Sequence, residues 1–162
     1  MPGSIPGYFL KIDGIAGEST DRNHKEEIEL VSFSWGLTRQ VVHGGGRSGG
    51  EAGRVQLKQF QFEMRVNKAS PAVFLACASG KHIKEATLSV SRRGKAAFDW
   101  LKVKFSDILI SAYEQAGDDE DPPYELVAFD FAQVEIQYTR SQRGAGATPI
   151  KAGWDLSRNR KI

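Results

Sequence analysis

Apolar and polar residues alternate with a period of two along most of this 162-residue chain, the pattern of strands that bury one face. Tyr8, Leu10 and Ile12 alternate with Phe9, Lys11 and Asp13, which predicts a first strand ended by the turn residues Asp13 and Gly14. Over residues 28–37, Val31, Phe33, Trp35 and Leu37 fall on one face and Ser32, Ser34 and Gly36 on the other, so the second face has almost no side-chain bulk. Val55 and Leu57 are apolar at odd positions, but Phe60, Phe62, Met64 and Val66 at even ones. One extra residue near Lys58 or Gln59, a β-bulge, produces that switch. The reversal recurs between Leu101, Val103, Phe105 and Ile108, Ile110, and between Val127, Phe129, Phe131 and Val134, Ile136. Three long strands that bend midway and change their inward face predict a sheet curled into a closed or nearly closed β-barrel.

The spacing predicts one helix, over residues 71–79. Ser70 is placed as N-cap, Pro71 at N1, and Gly80 at the left-handed position after the helix. Val73, Phe74 and Cys77 share one side, so the helix is expected to plug the barrel, with Cys77 as a small buried hydrophobe. Ala86, Leu88 and Val90 mark another strand, Arg92 to Lys95 a basic turn, and Ile150, Ala152, Trp154 and Leu156 a closing strand. Gly17, Ser19, Asp21 and Asn23 mark a polar connection to the next strand, in which His24 is expected to be solvated. A second connection, from His43 to Gly53, holds Gly44, Gly45, Gly46, Gly49, Gly50 and Gly53. It is far longer than a hairpin needs. Gly44, Gly46 and Gly49 spell a dinucleotide fingerprint, but that motif works only where it opens a helix after a strand, and here another strand follows.

Composition narrows the function classes. Twenty-two basic and 20 acidic residues give a net charge of +2, too even a balance to point to nucleic acid. No stretch approaches a membrane span, and residues 1–11 lack the plan of a signal peptide. The single cysteine, Cys77, forms no internal disulfide. His24, His43 and His82 are scattered, and no spacing resembles a metal site or a nucleophile with its base. Asp118, Asp119, Glu120 and Asp121 cluster without the spaced ligands of a calcium loop, so solvated charge is expected. The chain is therefore expected to be no enzyme, and residues 1–162 are expected to form a single domain.

Phe9 to Asp13, Gly17-Glu18-Ser19, Glu26-Glu27-Ile28, Ser34-Trp35-Gly36, the run from Ala76 to His82, Phe131-Ala132-Gln133-Val134 and Gly153-Trp154 occur in this order. Together they resemble the haemolysin-coregulated proteins, Hcp, of bacterial type VI secretion. The resemblance implies a compact β-barrel of two curled antiparallel sheets with one flanking helix. It further implies homohexameric rings stacked into a tube, a VgrG-type spike and a contractile sheath as partners, small effectors carried in the lumen, and no cofactor. Assembly in the bacterial cytoplasm followed by export through that machine accounts for a secreted protein without a signal peptide. The glycine connection matches the position of the family's extended loop, which makes His43, Gly44, Gly45, Gly46, Arg47, Ser48, Gly49, Gly50 and Glu51 candidate ring-stacking residues. Ser32 and Ser34, on the face without bulk, are candidate lumen and effector contacts. If the resemblance were coincidental, a non-enzymatic binding barrel at the cell surface would be the alternative.

Overall fold

The computed structural model describes residues 6–41, 53–93, 97–140 and 148–162. The candidate stacking residues from His43 to Glu51 lie outside the described residues. Among the described residues, nine strands and one helix follow one another: β1 (Pro6–Ile12), β2 (Ile28–Leu30), β3 (Ser32–Arg39), β4 (Val55–Arg65), α1 (Ser70–Ser79), β5 (His82–Arg92), β6 (Phe98–Ala116), β7 (Tyr124–Tyr138), β8 (Ile150–Asp155) and β9 (Arg160–Lys161). All pairings are antiparallel, in the order β2-β1-β5-β6-β7-β4-β3, with β8 and then β9 added beside the second half of β7.

One run of chain closes this sheet into the expected barrel. β2 pairs with β1 and β3 with β4, and only Val31 stands between β2 and β3, its N–H donating to the Glu63 carbonyl at 2.8 Å. Changing partners at Val31 also changes which positions face inward. Ile28 and Leu30 are buried before the break, and Phe33 and Trp35 pack against the core after it. The expected single strand is thus two, and Val31 and Leu37, expected in the packed row, are 46% and 40% exposed.

The bulge falls where the alternation placed it. Ser34 opposes Gln61 and Gly36 opposes Lys58, so Gln59 and Phe60 together face Trp35. The reversals in β6 and β7 have a different origin. Ile83, Ile108 and Phe131 form one buried row across β5, β6 and β7, and Ala86, Phe105 and Val134 form the next. Two residues separate these rows on every strand, and the ladder passes over Lys84, Asp107 and Ala132 between them. Asp107 takes a left-handed φ of 56° there. The three strands therefore fold along one shared crease and keep their pairing offset on both sides of it.

The core enclosed by the sheet is aromatic at its centre. Phe60 lies 4.8 Å from Phe105 and 4.9 Å from Phe129 between ring centroids, and Trp35 meets Phe105 edge-on at 5.5 Å. Burial of such rings, each worth about 1.5–3 kcal/mol, dominates the stability. The helix covers one end. Its N-cap is Ala69 and not the expected Ser70, because the Asn67 carboxamide oxygen already accepts the Ala69 N–H at 2.8 Å while the Ser70 hydroxyl accepts the Asn67 N–H at 2.9 Å. Gly80 is left-handed, φ 66°, and its N–H returns to the carbonyls of the last turn, as expected. Ser70, Val73 and Ala76 are the buried side, with Cys77 half-buried against the core. Phe74, expected in the plug, is 54% exposed and lies against the edge of Tyr113 at 5.8 Å.

The motif residues of the first connection do local structural work. A Cβ on Gly17 would sit 2.4 Å from the Glu27 carbonyl oxygen, so only glycine permits this approach. The Gly17 N–H donates to the Glu26 carbonyl at 2.7 Å, and the Glu18 carboxylate accepts the Lys68 N–H at 2.7 Å. Residues 17–27 are thereby laid flat along the barrel.

Candidate functional site

Ser32 and Ser34 are both exposed on the outer face of β3, opposite the inward Phe33, as the alternation predicts. In register with Glu63 and Gln61, they border a groove of about 400 Å³ that runs over β4, β7 and β6 to Leu126, Ala128 and Ala112. Its floor is short or flat side chains because Ala128 and Ala112 are directly paired where β6 bulges after Ile110. Gln59 fixes one end, its amide donating to Ser111 Oγ at 2.8 Å and to Asp130 Oδ1 at 2.7 Å. The groove offers hydroxyls, amides and a carboxylate around a low surface. That arrangement suits adaptable hydrogen bonding.

Two other surfaces are apolar. Pro71, Phe74, Leu75 and Ala78 are exposed at helical spacing on the outer side of α1, and Leu75 is 63% exposed. The helix has no acidic residue in its first turn and no basic one in its last. On the opposite branch of the fold, the inward row of β7 continues past Val134 to Ile136 and Tyr138, which pair with Ala152 and Ile150 of β8. Ile136, Tyr138 and Ile150 are exposed, so this is core-facing surface that runs beyond the part of the barrel that covers it. Contiguous apolar surface of this kind marks interaction sites.

Two polar clusters were not anticipated from the residues. His24, expected to be solvated, is buried, 3% exposed. Its Nδ1 lies 3.0 and 3.1 Å from the two Glu27 carboxylate oxygens, its Nε2 lies 2.7 Å from Asp99 Oδ1, and its ring stacks on Phe9 at 4.4 Å. Burial is the largest influence on its pKa and pushes it down. The hydrogen bonds and charges of Asp99 and Glu27 together outweigh burial, and the pKa stands above the ordinary 6.5. The sequence signal was the Glu three residues on; Asp99, 75 residues away, leaves no local trace. Glu125 is fully buried and ties three elements together. It accepts the Ser70 hydroxyl of α1, the Tyr113 hydroxyl of β6, and the Gln115 amide at 3.1 Å. In the acidic connection, Asp118 turns its carboxylate onto the Glu120 and Asp121 N–H groups at 2.8 and 2.9 Å. Those two bonds hold its pKa below the usual 3.8.

The creased barrel, its plug helix and its two displayed apolar strips define a mainly β antiparallel barrel of one helix and nine strands among the described residues. The comparisons with known proteins agree. Residues 9–138 match the family described as "Type VI secretion system effector, Hcp". The chain is 35% identical over 156 residues to Protein hcp1 of Pseudomonas aeruginosa, covering 93% of this chain and 95% of that one. Among solved structures it is similar to Hcp1 from Salmonella typhimurium, with 33% identity, a TM-score of 0.79, and coverage of 97% of this chain and 99% of that one. It is also similar to a structure described as a type six secretion system protein, with 25% identity, a TM-score of 0.89, and coverage of 98% and 100%. The chain belongs to the Hcp family of the type VI secretion system. That membership makes it a structural tube or effector protein of a self-associating family exported by that system.

Proposed function

We propose that the chain, as a single domain, closes into a homohexameric ring, that rings stack into the inner tube, and that the lumen carries small effectors. The observation that carries this reading is the pair of unlike apolar strips, one on α1 and one on β7 and β8. A cyclic ring is built from head-to-tail contacts, in which each subunit offers two different surfaces, and closure buries both. The low serine-bordered groove supports a lumen-facing role for Ser32 and Ser34. The length and glycine content of residues 43–51 support a role in reaching the next ring. A VgrG-type spike at the tip and a contractile sheath outside complete the assembly, which forms in the cytoplasm and is then exported.

Light scattering at low micromolar concentration tests the ring. Wild type is expected at about six times the monomer mass. Leu75→Lys, at a position that contributes little to the core, is expected to remain folded and to shift toward monomer. A folded wild-type monomer would overturn the ring; a hexameric Leu75→Lys protein would remove the α1 strip from the contact.

A further inference from the structure

The His24 cluster lies outside the two apolar strips and the serine-bordered groove, and its geometry bears on a charge state. Each imidazole nitrogen faces carboxylate oxygen: Nδ1 faces Glu27 at 3.0 Å and Nε2 faces Asp99 at 2.7 Å. An ionised carboxylate only accepts hydrogen bonds, so both nitrogens must carry hydrogen for both contacts to hold. A neutral ring has one N–H, and whichever nitrogen lost its proton would turn a lone pair toward a carboxylate oxygen. The ring stacks on Phe9 of β1 and is buried away from water.

Other charged groups surround this arrangement. From its own connection come Glu27 and, one bond further, Asp21, whose carbonyl accepts the His24 N–H at 3.1 Å. From β6 come Asp99 and Lys102, the ammonium of Lys102 lying 3.5 Å from Asp99 Oδ2. β1 contributes Phe9, whose ring stacks on the imidazole. Beyond the cluster, Arg93 pairs with Glu29 across a groove of about 610 Å³ whose other wall is Thr20 to Asn23. His24 thus joins three parts of the chain: β1 below it, the start of β6 beside it, and the connection that walls the groove.

We propose that His24 is an imidazolium at neutral pH and serves as a proton-held latch, fastening the connection before β2 to β6 and releasing it when the proton is lost in alkali. The sign follows from linkage. A group whose pKa is raised in the folded state adds stability that is complete below its unfolded value, 6.5, and is lost as pH rises through the folded value. Loss of the latch opens the wall of the groove first, because the hydrogen bonds from Gly17 to Glu26 and from Ser19 to Glu27 lie in the same segment. The rest of the barrel is held by its own ladder and core.

Nitrogen-edited NMR of the wild-type protein tests this directly. At pH 7 both His24 nitrogens should be protonated, with a titration midpoint above 6.5. Asp99→Asn keeps an acceptor and removes a charge, so the midpoint should fall; one pH unit is a tenfold loss of preference for the charged ring. After correction for the base-catalysed intrinsic rate, amide protection of Gly17, Ser19 and Glu26 should fall above the wild-type midpoint, while that of Leu88 and Val103 should not. A neutral His24 at pH 7, an unmoved midpoint in Asp99→Asn, or exchange in the connection that ignores the midpoint would each overturn the latch. His24→Gln should show fast exchange in the connection at every pH; should it fail to fold, the wild-type titration and Asp99→Asn still decide.

Discussion

Replacing Glu125 tests whether one buried carboxylate sets the pose of the helix that carries the α1 strip. Its two oxygens take three donors, from Ser70, Tyr113 and Gln115, and no cation pairs with it in these contacts. In Glu125→Ala, Tyr113 is half-buried and Gln115 exposed, so both can turn to water and lose little. Ser70 is buried and cannot, and an orphaned buried hydroxyl costs about 1–3 kcal/mol. The space left by the missing carboxymethyl atoms adds about 1–2 kcal/mol at about 24 cal/mol per Å³ of cavity. Relief of the buried charge offsets part of this, leaving a loss of about 2–4 kcal/mol, a large share of the total for a domain of this size. Glu125→Gln keeps the shape and one acceptor and should cost about 1 kcal/mol. Urea unfolding of both variants, with the slope compared to confirm that the denatured state is unchanged, gives the answer. An alanine variant within about 0.5 kcal/mol of wild type would refute the carboxylate as the tie. Equal losses in the two variants would assign the effect to charge and not to hydrogen-bond geometry.

Three further predictions concern the outer face, the glycine connection and the C-terminal turn. Ser34→Gln should leave the ring intact and reduce co-purification of a small effector; a hexameric variant with full cargo would take Ser34 out of the lumen contacts, and loss of the hexamer would place it at a subunit interface. Shortening residues 42–53 to a tight turn should preserve rings and shorten tubes in electron micrographs, and unchanged long tubes would rule out a stacking arm. Asp155 is buried, and the Ser157 hydroxyl at 2.6 Å, with the Arg158 N–H at 3.0 Å, holds its pKa below 3.8. Its contribution is present above that value and lost as pH falls through the lowered one, so Asp155→Asn should be less stable than wild type at pH 7 and converge with it in acid; a gap unchanged by acid would contradict this.

The period-two pattern carried most of the fold because an inward row must be apolar whatever lies across from it. Together with the capping signals that placed Gly80 after the helix, it marked the inward rows of β7 and the bulge beside Gln59. It failed where a residue's surroundings come from distant chain. Val31 continues the alternation in sequence but stands where the strand exchanges β1 for β4. Phe74 sits at helical spacing with Val73 and Cys77 yet points outward, since the buried side is centred on Val73 and Ala76. His24 has charged neighbours on both sides, which read as solvation, while Phe9 and Asp99 bury it from β1 and β6. The serine face was legible as an outer face. Family resemblance, and not periodicity, supplied the ring in which that face acquires a role.

The crease across β5, β6 and β7 bears on how this chain tolerates changes in length. Because Ile83, Ile108 and Phe131 align on one side of it and Ala86, Phe105 and Val134 on the other, a single residue inserted or deleted within one strand between these rows throws half of that strand's apolar side chains to the outer surface. No partner can follow unless both neighbours change length at the same place. Substitutions at Lys84, whose side chain faces solvent, leave this alignment intact, whereas Asp107, at a left-handed φ of 56°, accepts Asn or Gly more readily than a β-branched residue. Length variation among related chains is therefore expected to collect in connections such as residues 117–123, while the distance from Ile83 to Ala86, Phe105 to Ile108 and Phe131 to Val134 stays fixed.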